Sequence, residues 1–282
     1  MAHREQAVYS ADMPTIVGII NCTPDSFSDR ETALSEKELV DHARALIDDG
    51  AEILDIGGDS TRPNSDCVGV EEEWRRIKPV LKALALTVPC SVDTHNPETA
   101  RRALSEGARY INDISGYPTT EMIDLTRDFQ SRYIGMFNAH GRPHQFGSGV
   151  SPDEAILTIA SWMKKTERRL IGHGLSPAQI ILDPGMGAFV SSDSQTSWTI
   201  IQNIDKLPAP EGGLLLGCSR KGFLKTQGEN HPRERDYLTA CCGAYMAAKV
   251  GSRHPLYLRV HNVALQRKLL DSWDGTLPWL VC

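Results

Sequence analysis

Eight short apolar runs, each followed by a polar turn and a longer stretch with helical spacing, limit what this chain can fold into. The runs are TIVGII (15–20), EILDI (52–56), CSVD (90–93), RYIND (109–113), YIGMF (133–137), QIILD (179–183), LLLGC (214–218) and LYLRV (256–260). Near-continuous apolar character over so few residues is the pattern of strands buried on both faces, as in parallel sheets. The stretches between them carry helix punctuation. SEKELVDHARALIDDG opens on Ser35 with Glu38 three residues later, a capping box, and stops at Gly50. Strict strand–helix alternation with eight strands predicts an α/β fold of the (β/α)8 TIM-barrel type rather than a doubly wound sheet. No Pro-, Gly- or Ser-rich linker divides the 282 residues. We therefore expect a single barrel domain over residues 15–282, with residues 1–14 as an N-terminal extension.

Composition narrows the function. A net charge of -6 argues against nucleic acid as a partner, because such binders carry a basic stripe. No stretch approaches the roughly 20 apolar residues of a membrane helix, and the first residues lack the apolar core of a signal peptide. The seven cysteines, Cys22, Cys67, Cys90, Cys218, Cys241, Cys242 and Cys282, are odd in number and show no CxxC spacing. A cytoplasmic protein with reduced thiols is the expectation.

A barrel enzyme should place its chemistry at the C-terminal ends of the strands. Asn21 follows the first run, Asp55 lies near the end of the second, and Asp93 ends the third. Asn112 closes the fourth, Asp183 the sixth, Ser219-Arg220-Lys221 follow the seventh, and Arg259 and His261 flank the end of the eighth. One polar strand end usually caps backbone; seven of eight at equivalent ends point to a site. Asp93, Asn112 and Asp183 suit a flat heterocycle with an amidine-like row of N–H groups, because carboxylates accept paired hydrogen bonds. Arg62, Arg220, Lys221, Arg259 and His261 suit phosphate oxygens. Asn21 offers a neutral oxygen for Mg²⁺ beside a phosphate. The implied ligand is a nitrogen-rich ring bearing a phosphate or pyrophosphate.

NCTPDSFSD (21–29), DIGGDSTRP (55–63), SVDTHNPETARRAL with GARYINDISG, ILDPGMG, GCSRKGF and LRVHNV together resemble, in order, the signatures of the dihydropteroate synthases. The resemblance runs from about Thr15 to Asp271. It implies a transferase of folate synthesis that joins a dihydropterin pyrophosphate to 4-aminobenzoate, with Mg²⁺ as cofactor and a homodimer as the assembly. By position it places Asp93, Asn112, Met136, Asp183 and Lys221 on the pterin, and Asn21, Arg62, Arg259 and His261 on the pyrophosphate, with Asn21 also on the metal. Two mobile loops, with Thr23, Pro24, Phe27 and Ser28 on one and Thr61 and Pro63 on the other, would form the aminobenzoate pocket. Phe189, Arg220 and Gly222 complete it, and Asp55 is a further strand-end residue.

Three departures from the family pattern stand out. After DPGMG the family's Phe-Gly-Lys stretch is replaced by AFVSSDSQTSW, so that lysine is missing and Phe189 is the nearest aromatic. Gly222 stands where the family commonly has serine, and GMFNAHGRP departs from a Met-x-Met pattern, keeping Met136. The altered 186–198 region resembles the sulfonamide-insensitive branch, whereas GGDSTRP keeps the ordinary form. The expectation is a standard pterin half, a remodelled aminobenzoate half and reduced sulfonamide sensitivity. The alternatives are a pterin-binding homologue without synthase activity and a pterin-dependent methyltransferase; the SRK and RVHN segments count against the latter.

Other residues have plainer readings. His140 and His144 enclose Gly141 and Pro143, so a loop is expected rather than a helical metal face. Trp162, Leu170 and Cys241-Cys242 read as helix packing, and VEEEW and KKTERR as solvated helix faces.

Overall fold

The computed structural model describes residues 13–23, 34–59, 68–141, 147–229 and 231–272. Eight parallel strands form a closed barrel in sequence order: β1 Thr15–Asn21, β2 Ile53–Gly57, β3 Cys90–Asp93, β4 Tyr110–Asp113, β5 Arg132–Met136, β6 Ile180–Asp183, β7 Leu214–Leu216 and β8 Leu256–Val260. Closure comes from β1 pairing with β8, with Val17 opposite Arg259. Eight helices follow the strands: α1 Glu36–Asp48, α2 Val70–Leu84, α3 Pro97–Ser105, α4 Thr120–Asp128, α5 Pro152–Gly172, α6 Ser194–Gln202, α7 Asp236–Val250 and α8 Val263–Asp271. The expected barrel is thus the observed one. The strand ends shift by a residue or two, because a strand lasts only while both neighbours continue the ladder; β7, with one registered pair to β6, is the shortest.

Local sequence explains the helix ends. Ser35 and Glu38 form the expected capping box, and Gly50, at φ 102°, lets the chain turn out of α1. Asn96, Thr119 and Asp193 accept from the first turns of α3, α4 and α6.

Two apolar layers hold the barrel. Val17, Ile53, Ile134, Ile181, Leu215 and Tyr257 fill its interior, and a larger shell packs strands against helices. At the N-terminal end Arg132 closes the floor. Its guanidinium lies 5.7 Å from the ring centroids of both Tyr110 and Tyr257 and donates to Tyr257 Oη at 2.7 Å. It also donates to the Ala178 and Gly212 carbonyls.

One sequence reading is corrected here. VEEEW is not wholly solvated: Glu73 is buried, accepts from Thr99 Oγ1 at 2.5 Å and lies on the same stripe as Ile77, Val80, Leu81 and Leu84. In KKTERR, Thr166 is buried and Arg169 stacks over Tyr117. Trp162 packs edge-on against Phe137 and donates to the Gly116 carbonyl. His140 lies in a turn with its Nε2 3.1 Å from the Ala188 carbonyl.

Candidate active site

Parallel pairing brings the polar strand ends together. Gly57 is level with Asp93, Asp93 with Asn112, and Met136 with Asp183. Arg259 reaches across from β8, donating Nε to Asp55 Oδ2 at 2.6 Å and Nη2 to Asp93 Oδ2 at 2.7 Å. Asn112 Nδ2 donates to the same Asp55 oxygen at 2.9 Å, and Asp55 Oδ1, also buried, has no hydrogen-bond partner among the described residues. The groups expected to divide between ring and phosphate are therefore interleaved, with Arg259 at the centre.

Burial sets the protonation chemistry. It drives the Asp93 carboxyl above the ordinary carboxylate range against the opposing charge of Arg259, and Asp55, Glu73 and Asp59 push the same way as burial. Burial opposes the charge of Arg259 itself, yet Asp55 and Asp93 outweigh it and raise its pKa.

The second cluster lies at the C-terminal ends of β6 and β7. Asp183 accepts from the Gly185 N–H at 2.7 Å. Lys221 donates Nζ to the Met186 carbonyl at 2.9 Å and sits 5.3 Å from the Phe189 ring centroid. Burial raises Asp183 and lowers Lys221, while each charge partly restores the other. Gly185 and Gly187, both at φ 68°, make this approach possible: a Cβ on the first would meet the Phe137 carbonyl oxygen at 2.4 Å, and on the second Lys221 Cδ at 3.3 Å.

At the β8 exit, His261 Nδ1 lies 2.9 Å from Ser219 Oγ, which also accepts from the His261 N–H. Asn21 ends β1, half-buried, and Thr23 follows it. Arg220 departs from expectation: its guanidinium binds Asp236 at 2.6 and 2.8 Å, so it is an ion-pair partner of α7 rather than an open phosphate donor. Gly222 has nothing within 4 Å of where a Cβ would stand. Pro24, Phe27, Ser28, Thr61, Arg62 and Pro63 lie outside the described residues, as does His144.

The sequence reading missed Glu73 and Asp236. Glu73 had a signal, since it falls four residues before Ile77 on the apolar stripe of its helix. Asp236 had none, being one acid in a charged run whose partner lies 16 residues away.

Arranged this way, the mouth can seat a planar ring against carboxylates and an amide while presenting cations to an attached anion. The chain matches the family described as pterin binding enzyme over residues 17–261. The dihydropteroate synthase of Staphylococcus haemolyticus is 37% identical over 263 residues, covering 92% of this chain and 93% of the relative. The solved structure of the Xanthomonas albilineans dihydropteroate synthase with 4-aminobenzoic acid superposes with a TM-score of 0.81 at 29% identity, covering 95% of each chain. That of the Anaplasma phagocytophilum enzyme with bound 6-hydroxymethylpterin-monophosphate gives 0.76 at 30% identity, covering 92% of this chain and 97% of the other.

Proposed function

The chain belongs to the pterin-binding enzyme family, and we infer that it acts as a dihydropteroate synthase, joining 6-hydroxymethyl-7,8-dihydropterin pyrophosphate to 4-aminobenzoate. The observation that carries this reading is the interleaving of Asp55, Asp93 and Asn112 with Arg259, beside the Asp183–Lys221 pair. A ring rich in N–H groups and a pyrophosphate on one carbon require both kinds of group within one mouth.

In the reaction the bond between the pterin methylene and the pyrophosphate oxygen breaks, and the oxygen leaves with the electron pair. The arylamine nitrogen bonds to the methylene and loses a proton. Asp93 and Asp183 favour the electron-poor pterin; Asn112, Met136 and Lys221 fix the ring. Arg259 and His261 stabilise the departing pyrophosphate, since the bonds of Arg259 to Asp55 and Asp93 occupy only part of its donor set. No covalent enzyme intermediate is needed, and positioning supplies much of the acceleration.

Magnesium is part of this proposal. Among the described residues no three His, Cys, Asp or Glu side chains converge on a metal. A cation here would rely on Asn21 and on pyrophosphate oxygens, the water-retaining coordination that Mg²⁺ favours. When bound it would neutralise charge on the leaving group.

By the family resemblance, Thr23, Phe189 and Gly222 serve the arylamine and Arg62 the phosphate. The open space at Gly222 supports reduced sulfonamide sensitivity; an inhibition constant as low as that of an ordinary synthase would overturn it. The family resemblance is what supports a homodimer, to be checked by light scattering. The cysteines that the structure describes are free thiols and no described helix is long and apolar enough to cross a membrane, which supports a cytoplasmic location.

The test of the central reading is pyrophosphate release from the pterin substrate with and without 4-aminobenzoate. Release that depends on the arylamine, with dihydropteroate formed, is expected. Tight pterin binding with no product would overturn it.

A further inference from the structure

The loop after β7 is held from behind by an unusually complete set of bonds. Arg220 lies in the left-handed region at φ 58°, a conformation that a residue with a Cβ keeps only where its surroundings fix it. The N–H, the carbonyl and two guanidinium nitrogens of Arg220 are each held by α7 or the turn before it. Its N–H donates to Thr239 Oγ1 at 3.2 Å, and its carbonyl accepts from Arg235 Nη1 at 2.7 Å. Its guanidinium makes the two bonds to Asp236. Arg235 is itself paired to Glu229, whose second carboxylate oxygen accepts from the Thr226 N–H at 3.2 Å.

Asp236 reaches further. Its Oδ2 also accepts from Asn262 Nδ2 at 3.2 Å, and Asn262 Oδ1 caps α8 by accepting from the Leu265 N–H. One carboxylate therefore grips the residue before Lys221 and the residue after His261. The Ser219–His261 contact ties the same two loops on the other side. The pair is also mostly shielded, with Arg220 and Asp236 side chains 23% and 11% exposed. Ion pairs on open surface hold little in place, but a two-bond pair with this burial fixes geometry.

We propose that Asp236 is a positioning residue for the transfer reaction. Through Arg220 and Asn262 it sets the places of Lys221 and His261, and so governs affinity for the pterin pyrophosphate rather than for the arylamine. This rests on the synthase reading above for which ligand the two loops serve. A carboxylate is needed because a guanidinium and an amide must be held at once. Truncation would leave Arg220 to relax from its left-handed conformation and carry Lys221 with it.

The experiment uses the full chain with Asp236→Asn, Asp236→Ala, Arg220→Ala and the double Asp236→Ala/Arg220→Ala variant. Each substrate is varied in turn, and pterin pyrophosphate binding is titrated without arylamine. In Asp236→Ala the KM and the binding constant for pterin pyrophosphate should rise about tenfold, while KM for 4-aminobenzoate moves less than about twofold. Asp236→Asn, which keeps the shape and one acceptor, should recover part of the loss. The double variant should be no worse than the poorer single, because both act on one linkage. A lower melting temperature and kcat with both KM values unchanged would mean a merely structural acid and overturn the proposal, as would equal shifts in both KM values. If Asp236→Ala does not fold, an unchanged pterin constant in Asp236→Asn overturns it just as well. Absence of arylamine-dependent release by the unsubstituted protein would count against the synthase reading, and the pterin titration would still decide the role of Asp236.

Discussion

Asp183 and Lys221 are buried together, and burial moves them in opposite directions: the carboxyl above its ordinary 3.8 and the ammonium below its ordinary 10.5. Asp93, in the carboxylate cluster around Arg259, shifts upward for the same first reason. If the pterin ring needs these carboxylates ionised, kcat/KM for the pterin substrate must rise with pH through a limb above the ordinary carboxylate range. It must fall again on the alkaline side before ordinary lysine would titrate. The limbs belong to the coupled cluster rather than to single residues. Asp183→Asn should cut kcat/KM roughly a hundredfold, the scale of removing a buried charged partner, and should shift the acid limb. An acid limb unmoved in that variant would show that Asp183 does not report there. Gly222 offers a second test at this scale. Since a Cβ there meets nothing within 4 Å, Gly222→Ser should fold with stability unchanged to within about 0.5 kcal/mol. It should also lower the sulfonamide inhibition constant about tenfold, by returning one hydroxyl hydrogen bond. No change in inhibition would mean that the remodelling lies elsewhere.

The helices and strands show how far pattern reading reaches. α2 packs through Ile77, Val80, Leu81 and Leu84, and Glu73 joins that stripe with its carboxyl bonded to Thr99. Burial raises the Glu73 pKa above its ordinary 4.5, against the hydrogen bonds of Thr99 and Thr94. A carboxyl raised in the fold contributes stability that is whole below the unfolded-state pKa and is lost as pH climbs through the folded one. Glu73→Gln should therefore gain thermal stability relative to the unsubstituted protein at pH 8 and lose that advantage near pH 4; the reverse order would rule out a burial-driven shift. Elements of this kind were readable because their signals are local. The capping box at Ser35 and Glu38 and the eight apolar runs need only neighbours within a turn or a strand. Asp93, Asn112 and Asp183 were readable as well, since each closes a short apolar run at the strand end that a barrel turns to its mouth. The pairing of Arg220 with Asp236 was not, because the partner is chosen by how α7 returns over β7. Nor was the contact of Arg259 with Asp55, two residues 204 apart that meet only when β8 closes on β1.

Closure also separates stability from chemistry across the whole molecule, because the two ends of the same strands carry different tasks. At the floor, Arg132 satisfies the Ala178 and Gly212 carbonyls and the Tyr257 hydroxyl between two aromatic rings, and all of these partners favour the folded state. At the mouth, Asp55 and Asp93 crowd like charges around one arginine, and Asp55 keeps a buried oxygen without a hydrogen-bond partner among the described residues. That arrangement suits a ligand and burdens the ligand-free fold. Substitutions at the two ends should then dissociate. Arg132→Ala strands the Gly212 carbonyl and the Tyr257 hydroxyl, frees that of Ala178 to solvent and removes the cation between two rings; it should cost about 2–4 kcal/mol, a fall in Tm of very roughly 5–10 °C. Both KM values should stay within about twofold, the site lying at the opposite end of the strands. Asp93→Asn should do the opposite. Arg259 keeps Asp55 as counter-charge, the carboxylate repulsion is relieved, and Tm should hold or rise while pterin binding falls. Thermal melts beside substrate titrations would check both arms, and a Tm lowered by several degrees in Asp93→Asn would contradict the strain assigned to the mouth. Pterin pyrophosphate should stabilise the unsubstituted protein by linkage, about 2.7 kcal/mol at a hundred times its Kd, and much of the resulting rise in Tm should vanish in Asp93→Asn.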